Sequence, residues 1–184
     1  RLKSFNHDVA IISAIGNDMY GKTLLNYISE SGVDTDHMQV HETLETGKVH
    51  VTLNEKGSAS YDITYPCACD KIIFNEKAKA LVSNSDAFVF GSLVARDDVS
   101  KEALLQLVEA SSYNVFDLNL RAPHYEKELL IHLMNKAHFI KFNDGVSDIF
   151  TKPEMLNEND FSFLNDKDDP RFKMFVKAIS ATAF

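Results

Sequence analysis

The chain has 184 residues, 45% hydrophobic and 25% charged, with a formal net charge of -8. That length fills one core, or a core with a small appendage, and the composition is ordinary for a soluble globular protein. An acidic chain argues against nucleic acid or an anionic membrane as partner, since both attract clustered Lys and Arg, but it leaves room for a local cationic pocket around a small anion.

From the start, "RLKSFNHD" lacks the apolar segment of a signal peptide. "VAIISAIG" (9–16) is a short apolar run rich in branched residues, which predicts a strand buried on both faces. In "NDMYGKTLLNYISESG", Leu24, Leu25 and Ile28 share a helical stripe, Asn17 or Asp18 can cap the start, and Gly32 marks the stop.

The texture then changes. "TGKVHVTLNEKGSASYDIT" alternates Val49, Val51 and Leu53 against Lys48, His50 and Thr52, turns at "NEKGS", and resumes with Tyr61 and Ile63. This predicts an antiparallel hairpin with one polar face, projecting from the main sheet. Next come the two cysteines, Cys67 and Cys69. They make no disulfide framework, and a lone C-x-C lacks the second ligand pair of a structural zinc site, so two reduced thiols in a loop are expected.

A strand–helix rhythm follows. A helix around 74–84 leads into "DAFVFGS", "SKEALLQLVEASS" into "NVFDLN", and "HYEKELLIHLMNKA" into "HFIKFN". Each helix carries apolar residues three and four apart, and such alternation predicts right-handed crossovers and a parallel sheet covered on both faces. The longest apolar run, "AFVFGSLVA", is strand length and far short of the roughly 20 residues of a membrane span. Beyond Asn143 the pattern weakens into two or three short helices broken by Pro153 and Pro170. A reducing, cytoplasmic compartment is the expectation.

In an open parallel sheet, ligands bind outside the carboxyl ends of the strands. Three strands end in polar groups there: Gly91 and Ser92; Asp117, Asn119 and Arg121; and Lys141, Asn143 and Asp144. Strand alternation puts Asp117, Asn119 and Arg121 on one side. An arginine fork suits a phosphate, a carboxylate or sugar hydroxyls. The same residues also suit an Asp–Arg ion pair beside a turn, and Asn143-Asp144-Gly145 suits a turn or helix cap. No P-loop, dinucleotide-binding or serine-hydrolase motif occurs, and no histidine has metal-ligand spacing.

Taken in order, the segments resemble the ribokinase-type, or PfkB, carbohydrate kinases, and within them the fructokinase branch. "GNDMYG" followed by "SGVDT" is similar to that family's G-x-D-x-x-G and L-x-x-x-G-V-D-T, the hairpin to its sugar lid, and "FGSL" to its strand ending in Gly-Ser. "DLNLR" is similar to D-x-N-x-R, and "FIKFND" to the strand before N-x-x-E. The resemblance runs from about Val9 to Asp144. It implies an α/β fold: a ribokinase-like three-layer sandwich with a mostly parallel sheet and a projecting β-hairpin lid. The α/β core would span 1–40 and 65–184, incomplete at both ends, and the lid 41–64.

The resemblance further implies phosphoryl transfer from ATP, with Mg2+, to a sugar hydroxymethyl group, and a homodimer through the lid. Gly91, Ser92, Asp117, Asn119 and Arg121 would bind substrate, with Asp117 orienting Arg121. Asn143 and Asp144 would position metal and phosphate, with no direct metal ligand. The catalytic aspartate of the family's G-A-G-D motif and its first Gly-Gly segment are not among these residues, which implies a longer protein. Val146 stands where N-x-x-E has glutamate, and Cys69 where the branch often carries tryptophan. A non-catalytic sugar-binding or regulatory relative is the alternative, and an unrelated α/β binding domain sharing only the strand–helix rhythm is a third.

Overall fold

A computed structural model describes residues 2–53, 59–118, 120 and 124–142. They form two compact units: the residues up to Ala78 together with Asp97–Ala103, and Lys79–Arg96 together with the described residues from Leu104 onward.

In the first unit, β1 (Ser13–Gly16) pairs in parallel with β2 (Met38–His41), from Ser13 opposite Met38 to Gly16 opposite His41. Regular pairing covers only the second half of the strand expected over 9–16, because β2 offers four residues. An isolated bridge, Ala10 to Asp34, continues the contact upstream. Between the strands runs α1 (Met19–Glu30). Asp18 caps it, accepting the Gly21 N–H at 2.7 Å, and so satisfies one of the orphan donors at a helix start. Gly32, at φ +76°, ends it in the left-handed conformation that glycine adopts without strain.

The expected hairpin is present as β3 (Val49–Leu53) and β4 (Ala59–Ile63), antiparallel, with Val49 opposite Ile63 and Leu53 opposite Ala59. Its turn, 54–58, lies outside the described residues. All five β3 residues are exposed, including Val49, Val51 and Leu53.

In the second unit, β5 (Phe88–Gly91), β6 (Asn114–Leu118) and β7 (Phe139–Phe142) form a parallel sheet in that order. The helices are α2 (Glu76–Ser83), α3 (Asp98–Ala110) and α4 (Lys127–Lys136). They fall within a few residues of the expected segments. α2 begins in the first unit and α3 likewise starts there before entering the second. Along β6, Asn114, Phe116 and Leu118 are buried while Val115 and Asp117 are only partly covered. The core cluster joins Phe90, Phe116 and Leu118 to Leu104, Val108, Leu130, Leu133 and Met134. The rings of Phe90 and Phe116 stack with centroids 5.2 Å apart. Each such fully buried side chain contributes about 1.5–3 kcal/mol. Asn114, the polar exception at the strand start, donates to the carbonyls of Val108 (3.0 Å) and Lys136 (3.3 Å).

Among the described residues no helix is long and apolar enough to cross a membrane.

Candidate functional site

The parallel register of the second unit fixes which residues meet at its carboxyl edge. Gly91 lies opposite Asp117, and Asp117 opposite Lys141, so the three form one cross-strand row. Lys141 Nζ donates to both Asp117 oxygens, at 3.0 and 2.9 Å. Both side chains remain accessible, Lys141 at 61% and Asp117 at 36%, so the pair can open toward a ligand at little cost. Asp117 thus has a partner from the neighbouring strand. Asn119, Arg121, Asn143 and Asp144 lie outside the described residues, as does the expected pairing of Asp117 with Arg121.

Ser92, directly after Gly91, is buried and opens a short 3-10 segment, Ser92–Arg96. Beside it is a cavity of about 140 Å³ lined by Ser92, Arg96, His124, Tyr125 and Glu126 over an apolar floor that includes Leu133. A complete small-molecule site holds roughly 300–1,000 Å³. This one is a corner, polar on its walls and greasy beneath. A Cβ on Gly91 would meet only the Asp117 carbonyl, at an ordinary 3.5 Å. Packing therefore does not demand glycine at that strand end.

The first unit holds three polar clusters that spacing alone did not single out. Asp18 grips Thr46: its oxygens accept the Thr46 N–H and hydroxyl, both at 2.8 Å. The Thr46 hydroxyl oxygen in turn accepts the Gly16 N–H at 3.0 Å. The backbone hydrogen bonds from Thr46 and then Gly21 hold the Asp18 carboxyl below its usual range.

Asp97, 7% exposed, is the hub of the second cluster. Lys71 Nζ donates to it at 2.9 and 2.7 Å, the Tyr65 hydroxyl at 3.1 Å and the Val99 N–H at 3.0 Å. Burial opposes its ionisation, yet the hydrogen bonds from Lys71, Val99 and Tyr65 outweigh burial and leave its pKa lowered. The same contacts raise Lys71 and Tyr65 above their ordinary values.

The third cluster is Cys67, Cys69 and Asp70. The sulfurs lie 3.2 Å apart, and Asp70 Oδ2 accepts the Cys67 N–H at 2.8 Å and its thiol at 3.3 Å. Burial first, then the Cys69 contact and Asp70, push the Cys67 thiol up to about 12. No sequence signal pointed to Thr46 or Asp97, whose side-chain partners lie 26 to 32 residues away.

Three parallel strands whose carboxyl edge carries a carboxylate, a cation and a buried hydroxyl define the class of fold, an α/β domain with polar groups gathered at its strand ends. The model of the pfkB family of carbohydrate kinases matches residues 1–160, and the chain belongs to that family. A protein of Pyrococcus horikoshii described as an uncharacterized sugar kinase is 30% identical over 143 residues, 74% of this chain and 45% of its own. Its crystal structure superposes with a TM-score of 0.66 over 72% of this chain and 48% of that one, at 25% identity. The probable fructokinase-7 of Arabidopsis thaliana is 24% identical over 88% of this chain and 46% of its own. Halothermothrix orenii fructokinase superposes with a TM-score of 0.72 over 89% of this chain and 60% of that one, at 18% identity, and shows the fold alone. The fold is the expected ribokinase-like α/β type. The chain spans about half the length of the curated relatives it matches.

Proposed function

We propose that this chain serves an ATP-dependent sugar kinase of fructokinase type, which moves the γ-phosphoryl group of ATP to a sugar hydroxymethyl. The observation that carries the reading is the row Gly91–Asp117–Lys141 at the carboxyl edge of three parallel strands, in a chain of the pfkB family. The P. horikoshii relative has been crystallised in complex with ATP, which supports the same donor here.

The described residues fit such ligands. Asp117 offers two acceptors to sugar hydroxyls, Ser92 a hydroxyl, and Lys141 an ammonium to a phosphoryl oxygen, while Gly91 leaves the strand end open. Asn119 and Arg121 complete the substrate set, and Asn143 and Asp144 position Mg2+ and phosphate, as the resemblance implies. ATP supplies the phosphoryl group; the chain's residues position it and offset its charge. The β3–β4 hairpin acts as the sugar lid within segment 41–64, beside an α/β core of 1–40 and 65–184. Its exposed Val49, Val51 and Leu53 suit a lid-to-lid homodimer. The compartment is cytoplasmic.

The test is phosphorylation of a panel of sugars, fructose first, with ATP and Mg2+, alongside sugar-induced thermal stabilisation. Wild-type protein should turn over at least one sugar. Arg121→Ala should keep the fold and lose both turnover and the sugar-induced shift. One feature of the sequence favours a second reading, a non-catalytic sugar-binding relative: Val146 cannot serve a metal where N-x-x-E has glutamate. Stabilisation by sugar with no phosphate transfer to any member of the panel would select it.

A further inference from the structure

We propose that Cys67, Cys69 and Asp70 form a three-donor site for a thiophilic divalent cation of the zinc class, at the root of the β3–β4 hairpin. A lone C-x-C is too few ligands, but the fold adds a third. Cys67 precedes a single 3-10 turn, Ala68–Asp70, which folds Asp70 back onto the Cys67 N–H. One donor atom from each of the three residues lies within 4.8 Å of the others.

Zinc bound tetrahedrally, with Zn–S about 2.3 Å and Zn–O about 2.1 Å, places its ligand atoms about 3.6–3.8 Å apart. The two sulfurs are 3.2 Å apart and Cys67 Sγ is 3.3 Å from Asp70 Oδ2. Opening these gaps by about 0.6 and 0.3 Å, and setting the Cys69–Asp70 pair, already within 4.8 Å, at about 3.6 Å, makes three corners of the tetrahedron through small χ rotations. Cys67 and Asp70 are 1% and 2% exposed, whereas Cys69 is only partly covered and gives the ion a way in. The fourth corner is left to water, as in open zinc sites.

The chemistry favours a cation over a disulfide. A disulfide would use the two sulfurs alone and take away the Cys67 thiol donor to Asp70, which would keep the Cys67 N–H. A cation satisfies all three groups, replaces the thiol protons, and neutralises charge that burial otherwise penalises.

The position gives binding a consequence. Gly47, two residues before β3, lies against both sulfurs: a Cβ there would sit 3.1 Å from Cys67 Sγ and 3.3 Å from Cys69 Sγ. The Ala68 N–H donates to the Glu45 carbonyl at 2.8 Å. Both arms of the hairpin therefore converge on the thiols, and an ion held there staples them.

The experiment titrates the full chain, fully reduced under argon, with Co2+ alone, and then adds Zn2+ as competitor. One equivalent of Co2+ should bring the intense absorption of tetrahedral thiolate–cobalt, and Zn2+ should bleach it. Zn2+ should also raise the melting temperature. Cys69→Ser, at the partly covered position and checked for folding by circular dichroism, should bind more than about tenfold more weakly, and Asp70→Asn should bind measurably more weakly. Absence of the cobalt signal in wild type overturns the proposal, as does a signal unchanged in Cys69→Ser. Native mass spectrometry adds another refuting outcome: no metal retained, and a mass two hydrogens lower from a Cys67–Cys69 disulfide.

Discussion

Asp18 and Thr46, 28 residues apart, are locked by two hydrogen bonds of 2.8 Å from the Thr46 N–H and hydroxyl to the Asp18 carboxylate. Asp18 also caps α1, so one side chain ties the start of the first helix to the segment that leads into the hairpin. The contact joins β1 as well, through the Gly16 N–H on the Thr46 oxygen. Thr46 is 4% exposed, so water cannot replace a lost partner. Thr46→Val, equal in shape, strands the buried Gly16 N–H and removes one of the two donors to Asp18 Oδ1, which keeps the Gly21 N–H. It is expected to destabilise by about 1–3 kcal/mol, read from urea unfolding. A double-mutant cycle with Asp18→Asn should be clearly non-additive.

Acid should weaken the first unit through two carboxylates. Asp18 and Asp97 both have folded-state pKa values below the ordinary 3.8. A depressed carboxylate contributes stability that is complete above the unfolded value and is lost as pH falls through the folded one. Unfolding free energy should therefore hold level down to about pH 4 and fall below it. Asp18→Asn and Asp97→Asn should each start lower and decline less steeply over the same range.

At the alkaline end the sign reverses. Lys71 and Tyr65 are raised by their hydrogen bonds to Asp97 above 10.5 and 10.0. Each contributes stability present below its unfolded value and lost as pH rises through the folded one. Tyr65→Phe removes one donor to Asp97, and Lys71→Met removes the counter-charge of a buried carboxylate. The Lys71 variant should be the less stable of the two at pH 8, and the wild-type decline above pH 10 should flatten in both. Equal stability of the two variants would show that the Lys71 charge contributes no more to holding Asp97 than the Tyr65 hydroxyl does.

The sequence spoke clearly wherever local pattern decides structure. Phe88–Gly91, Asn114–Leu118 and Phe139–Phe142 were legible as apolar runs between helical periods. The alternation of Val49, Val51 and Leu53 announced the hairpin, and "GND" announced the Asp18 cap. β2 escaped because Met38–His41 is four residues long, with a glutamine and a histidine in it. The Asp97 and Thr46 clusters escaped because their partners meet only through the fold. Cys67 and Cys69 read as unremarkable because the fold, and not the C-x-C spacing, turns Asp70 back onto them. At the candidate site, strand alternation placed Asp117 at the edge, but only the register of β7 brings Lys141 onto it.

The core should tolerate little. Leu133 is fully buried on α4, against β6 in the core cluster. Leu133→Ala leaves a cavity that rigid neighbours cannot fill, and a loss of about 2–5 kcal/mol is expected. Val89, on the same sheet but 54% exposed, is the control: Val89→Ala should change stability by less than about 0.5 kcal/mol.

Asp117 separates a structural role from a functional one. If its work were to anchor Lys141, then Asp117→Asn would cost what an exposed ion pair is worth, less than about 1 kcal/mol, and Lys141→Met would cost the same. Neither change should unfold the protein, because Asp117 points away from the packed side of β6 that carries Phe116 and Leu118. If Asp117 holds sugar hydroxyls, Asp117→Asn keeps one carbonyl acceptor but loses the charge and half the acceptor capacity. A fall of about 10- to 100-fold in kcat/KM is then expected, with a melting temperature within a few degrees of wild type. Lys141→Met should lower kcat/KM as well, but with a different split. Losing a cation that meets the phosphoryl group in transit lowers kcat, whereas losing a carboxylate that grips the sugar mainly raises KM. Parallel losses in both parameters for the two variants would mean that the pair acts as one structural unit. Unchanged kinetics in both would remove the row Gly91–Asp117–Lys141 from the site.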